Sequence, residues 1–236
     1  MKAVAALGGA DLSAAEEASK FIENAVRYDR SFYLIQEVQK ASHQHRQGSV
    51  VYMRYISLLC KISTFGDEEF RACEAAGAIK DIIVECMTDD ILVQINTIGL
   101  LTGIGSTVSG LEYMCDNGVF DWLIWASCGA IVSSGKAANS VNANSTPVDP
   151  LIRIEALRVL GFLFAKSAAL NFDAFGHMHH TFVFHFLQTV HRYLEEGNEE
   201  ERMTSKIPHF HFDHIFLNRP NFITSILYFF RFDDAF

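Results

Sequence analysis

Apolar residues return at three- and four-residue spacings from about residue 50. Val51, Tyr55, Leu58, Leu59 and Ile62 recur at these spacings, the pattern of a helix that buries one side. After a break at Gly66-Asp67, Phe70, Cys73 and Ala76 mark a second helix that stops at Gly77. Ile79, Ile82, Ile83 and Cys86 mark a third, stopped at Asp89-Asp90. Upstream, Ser13 followed three residues later by Glu16 reads as a capping box opening a helix through about Arg27. Phe32, Leu34, Ile35 and Val38 give the apolar face of a second short helix, and residues 41–48 read as a polar turn. Helices of about 9 to 15 residues joined by short polar segments predict a multi-helix array rather than a sheet.

The array repeats. Ile56-Ser57-Leu58-Leu59 returns 42 residues later as Ile98-Gly99-Leu100-Leu101, as do Cys73 and Cys86 in Cys115 and Cys128, while Gly77 returns one residue sooner as Gly118. In both copies a helix ends on glycine and an apolar helix restarts at once. Glycine suits that place because a left-handed backbone carries no Cβ penalty there. A third copy starts at Leu151-Ile152-Arg153-Ile154, 59 residues after Leu92-Val93-Gln94-Ile95. The extra length falls in residues 133–149, a stretch of Ser, Gly, Ala, Asn and Thr unable to form a core, which reads as a flexible insert ending at a cap, Asp149-Pro150. A period near 42 lies in the armadillo and HEAT range. The expected fold is therefore all-α, a right-handed superhelix of stacked armadillo/HEAT-like repeats. The helical-repeat region is expected over residues 1–204, with repeats near 50–90, 91–132 and 150–176, and an atypical tail over 205–236.

Such solenoids bind partners on a surface made by equivalent helices of successive repeats. The helices starting near Val51, Leu92 and Leu151 are equivalent, so Arg54, Lys61, Gln94, Asn96, Arg153, Glu155 and Arg158 are candidates for a polar ladder. Trp122 and Trp125 lie three residues apart on nearly one helix face, either as core fillers or as aromatic anchors for a partner.

Charge and chemistry narrow the classes. A net charge of −9 argues against nucleic acid and anionic membrane as partners. Five single cysteines without a CxxC pair fit buried thiols in a reducing cytosolic or nuclear compartment. The run Ala3-Val4-Ala5-Ala6-Leu7 is short for a signal peptide, and no stretch reaches the length of a membrane span. Gly103-Ile104-Gly105 has Val108 where a dinucleotide fingerprint needs its third glycine, and the phosphate-loop, GxSxG and HExxH motifs are absent. Eight of the ten histidines lie between 177 and 214, without cysteine neighbours or a familiar metal spacing. No enzyme, cofactor or metal is expected. A last amphipathic helix is expected over about 181–196, after which the composition turns rich in phenylalanine, at 210, 212, 216, 222, 229, 230, 232 and 236.

The stretch from Tyr52 to Ala165 resembles the family of 26S proteasome non-ATPase regulatory subunit 5. The likeness lies in Arg54-Tyr55, Cys73-Glu74-Ala75-Ala76-Gly77-Ala78-Ile79, Asp90-Ile91-Leu92-Val93-Gln94 and Gly118-Val119-Phe120-Asp121. The resemblance implies an armadillo-like cytoplasmic chaperone that associates with proteasomal ATPase subunits while the regulatory particle base assembles. It also implies a longer protein of which this chain is a central fragment. No family motif marks a contact residue. The alternative reading is another helical-repeat scaffold or adaptor without catalytic activity.

Overall fold

The computed structural model describes residues 2–128 and 148–174, and every regular element among them is helical. Ten helices follow in order: α1 Lys2–Leu7, α2 Leu12–Asp29, α3 Tyr33–Ser42, α4 Val50–Ser63, α5 Asp67–Ala75, α6 Ala78–Cys86, α7 Ile91–Ile104, α8 Val108–Asp116, α9 Val119–Cys128 and α10 Pro150–Ala169. The expected insert lies largely outside the described residues, and the helix over 181–196, the histidine-rich stretch and the phenylalanine-rich tail lie wholly outside them.

Local chemistry sets the ends of these helices. Ser49, Asp90, Thr107 and Asp149 each accept a backbone N–H from the first turn of the helix they precede. Asp149 is followed by Pro150, whose missing N–H costs nothing at a first helical position. At α2 the cap is Asp11 instead of the expected Ser13: its carboxylate takes the N–H groups of Ser13 and Ala14 at 2.9 and 3.2 Å. Glu16 turns to Lys20, 2.7 Å away, leaving no capping box. Gly77 and Gly118 hold φ of 85° and 68°, the left-handed conformation that lets the second helix of a unit stop and the third restart.

The repeating unit is a trio of one long and two short helices. α4, α5 and α6 have 14, 9 and 9 residues, and α7, α8 and α9 have 14, 9 and 10. Val50 to Ile91, Asp67 to Val108 and Ala78 to Val119 are each 41 residues apart, the spacing of the two glycines. The buried residues of the short helices keep that spacing: Phe70 and Cys73 are matched by Leu111 and Met114, and Ile79 and Ile82 by Phe120 and Leu123. The cysteine pairing at 42 is therefore displaced. Cys73 is fully buried, whereas Cys115 sits one residue beyond its structural equivalent and is half-buried. Along the long helix the buried face returns at 42 instead, with Tyr55, Ile56, Leu59 and Ile62 matched by Thr97, Ile98, Leu101 and Ile104.

Stacking joins these units through one continuous core that runs from Val4 to Ala174. The third helix of each unit packs on the first helix of the next, α3 on α4, α6 on α7 and α9 on α10. First helices also follow one another, α4 on α7 and α7 on α10, as second helices do in α5 and α8. The α4–α7 approach is close: a Cβ on Gly103 would lie 2.7 Å from Cys60 Sγ, and that thiol donates to Leu100 O at 3.1 Å. A three-helix unit repeated at 41 residues, with equivalent helices in file, is an armadillo-like helical stack.

Candidate protein-binding face

Most of the predicted ladder residues on the first helices make contacts within the chain. Arg54 Nη1 donates to the carbonyls of Leu7 and Gly9 at 2.8 and 3.0 Å, tying down the end of α1. Gln94 Nε2 donates to Cys86 O at 2.8 Å and so closes the C-terminus of α6. Lys61 pairs with Glu23 at 2.7 Å, and Arg158 forks onto Glu155, with Nε to Oε2 at 2.8 Å. Arg153 is half-buried and engaged, and Asn96 is exposed on α7.

The third helices carry a different arrangement. Asp81 and Trp122 hold the same position in successive units, as do Val84 and Trp125, 41 residues apart in each case. Both tryptophans are half-buried and pack against the core, and the buried Trp125 indole N–H has no hydrogen-bond partner among the described residues. Val84 and Met87, at the end of α6, are about half exposed.

Between α3, α4 and α6 lies a polar nook that the sequence reading missed. Asp81 Oδ2 accepts Gln39 Nε2 at 2.5 Å and meets His43 Nε2 at 2.7 Å. Gln39 Nε2 and His43 Nε2 are 3.1 Å apart. One helical turn on, Glu85 is 5% exposed, and burial followed by the neighbouring Asp81 charge raises its carboxyl above the usual range. The Tyr52 phenol, 1% exposed, is pushed up by burial and then by the Glu85 and Asp81 charges. Gln39 Oε1 and the Tyr52 hydroxyl have no hydrogen-bond partner among the described residues. One signal was available: Glu85 occupies an inward position that the next unit fills with Ala126.

Burial pushes the Cys60 and Cys73 thiols up to about 12, far from a reactive thiolate. Among the described residues, no group of three His, Cys, Asp or Glu side chains is placed to hold a metal, and no helix is long and apolar enough to cross a membrane. A cleft of about 430 Å³ between α1, α3 and α4 is lined by Gly8, Lys40, His45 and Tyr55, but the Tyr55 hydroxyl is committed to Val4 O at 2.9 Å.

The sequence model of a family described as "Proteasome non-ATPase 26S subunit" matches residues 1–125. The chain belongs to this family. Its curated relatives include the 26S proteasome non-ATPase regulatory subunit 5 of Bos taurus, 24% identical over 118 residues, which are 49% of this chain and 24% of the relative. The Mus musculus protein of the same name is 25% identical over 118 residues, 49% of this chain and 23% of that one. The matched stretch thus spans about a quarter of each relative's length. Among solved structures, an engineered protein aligns at 16% identity and a TM-score of 0.49, over 90% of this chain and 78% of that one. A designed armadillo repeat protein in complex with the peptide (KR)4 aligns at 10% identity and a TM-score of 0.45, over 89% and 98%. Membership in this family gives the stack a proteasome-related setting, and its relatives are named as regulatory subunits.

Proposed function

We propose that the chain is a non-catalytic chaperone that binds ATPase subunits of the proteasome while the base of the 26S regulatory particle assembles. The observation that carries this reading is the family match over residues 1–125, a stretch that includes both complete trios apart from the last residues of α9. A stack of this kind offers a broad, repetitive surface and no reactive cluster among its described residues, which suits holding a protein better than turning over a small molecule. On this reading the contact face runs along α6 and α9, with Trp122 and Trp125 as aromatic anchors and Asn96 as a polar contact. Arg54 and Gln94 serve the fold, and Arg153 and Arg158 lie outside the central contact. The setting is cytoplasmic, and neither nucleic acid nor membrane takes part.

Co-expression of the tagged full chain with each proteasomal ATPase subunit in turn tests this. Stable capture of at least one isolated subunit, with no capture of the finished 26S particle, is the expected result. Failure to retain any ATPase subunit overturns the proposal. Capture of an unrelated partner by the same face would instead make the chain a general helical-repeat adaptor.

A further inference from the structure

The nook on α6 has more acceptors than donors. Asp81 and Glu85 lie one turn apart, so their carboxyls share one side of the helix and repel. Asp81 is served by the Gln39 amide and the His43 ring. No cation pairs with Glu85 among the described residues, although the residue as a whole is only 5% exposed. Beside the two carboxyls, Gln39 and Tyr52 are 97% and 99% buried, and Gln39 Oε1 and the Tyr52 oxygen have no hydrogen-bond partner among the described residues. A buried polar atom without a partner destabilises the fold, and so does a buried carboxylate without a cation. Both deficits end when a cation with several donors arrives.

The chemistry selects the cation. Among the described residues, no trio of His, Cys, Asp or Glu is placed to hold a metal here. An ammonium is compact, with three donors around one point. A guanidinium is planar, spreads five N–H donors over a fork, and tolerates partial burial better than an ammonium. The surroundings match a protein-borne group: exposed Val84 lies one turn from Asp81, exposed Met87 follows at the end of α6, and Trp122 and Trp125 hold the Asp81 and Val84 positions on the next unit. His43, with its side chain 57% exposed, is the outermost group on the nook.

We propose that this nook receives the guanidinium of one arginine on a partner protein, an inference that rests on the protein-binding reading of this face. Asp81 and Glu85 take its charge. Gln39 Oε1 and the Tyr52 hydroxyl accept remaining N–H groups as His43 swings off Asp81. The aromatic and aliphatic side chains alongside hold the rest of the partner segment.

The test is a titration of the isotope-labelled full chain with N-acetyl-arginine-N-methylamide, followed by amide NMR shifts. The citrulline and lysine analogues serve as neutral and ammonium controls. Saturable shifts at Gln39, Asp81 and Glu85 with arginine, and only weak ones with citrulline and lysine, are expected. Glu85→Gln keeps the side-chain shape and is expected to weaken arginine binding by about tenfold or more. Asp81→Asn should do the same, with thermal melts checking that it folds; if it does not, Glu85→Gln decides alone. Equal response to citrulline, equal response to lysine, or an unchanged affinity in Glu85→Gln overturns the proposal. Capture of ATPase subunits, run in parallel, separates the two readings. Subunits held equally by wild type and Glu85→Gln leave the chaperone standing and remove the arginine site. Arginine bound with no subunit captured does the reverse.

Discussion

Arg54 decides between two views of the first-helix ladder, because replacing it by methionine removes the guanidinium and keeps most of the aliphatic stem. Its Nη1 donates to Leu7 O and Gly9 O at 2.8 and 3.0 Å, so it holds the last turn of α1 and the loop beyond. A hydrogen bond from a charged donor contributes about 1.5–3 kcal/mol. Both bonds share one nitrogen on a half-buried side chain, so the pair is better taken as about 2 kcal/mol in all. The loss should stay local, because the buried Val4 and Leu7 side chains and the 2.9 Å bond from Tyr55 to Val4 O still hold α1 to α4. About 2 kcal/mol corresponds to roughly a 30-fold rise in the opening of α1. Native-state hydrogen exchange should therefore show the α1 amides exchanging about that much faster in Arg54→Met, with the α4 core amides unchanged and partner capture intact. Unchanged α1 exchange combined with lost partner capture would refute the reasoning and return Arg54 to the binding surface.

Three further outcomes follow from the same geometry. Gly77→Ala places an L side chain at φ 85°, where a Cβ meets nothing within 4 Å, so only backbone strain acts; urea melts should show a loss of about 1 kcal/mol, and a gain would contradict the left-handed turn. The Glu85 carboxyl is raised by burial and by Asp81, so the folded chain holds that proton above the unfolded value of 4.5 and loses stability as pH rises from there through the folded value. Glu85→Gln should therefore melt higher than wild type at neutral pH, with the difference closing below about pH 4.5; a difference that widens on acidification would reverse the sign of this argument. Native alkylation at pH 8 should find Cys60, Cys73 and Cys86 nearly inert until urea exposes them, with half-buried Cys115 modified first, and labelling of Cys73 at the rate of a free thiol would deny its burial.

What was legible in the chain is what runs along a single helix or turns on a single backbone conformation. The trio from Val50 to Cys86 shows as apolar spacing, and Gly77 and Gly118 mark turns that require φ above zero. α1 was missed because six residues ending at two glycines carry too few turns to display a period. Asp11 and Ser13 are both good caps two residues apart, and the choice between them depends on whether Leu12 joins the helix, which local sequence leaves open. A spacing of 42 holds for the inward face of the long helix, as in Ile56 and Ile98, but the short helices pack at 41: Cys73 corresponds to Met114, because what recurs is an inward-facing volume. The nook is the hardest case. Gln39, His43, Tyr52, Asp81 and Glu85 come from three helices and meet only when units stack, so no spacing along the chain links them. Their trace in the sequence is a conflict with the repeat, since Glu85 stands where the next unit has Ala126. In a stack held together by repetition, a charged residue at an inward position has a cost that packing does not return, so the compensation has to be sought outside the unit that carries it.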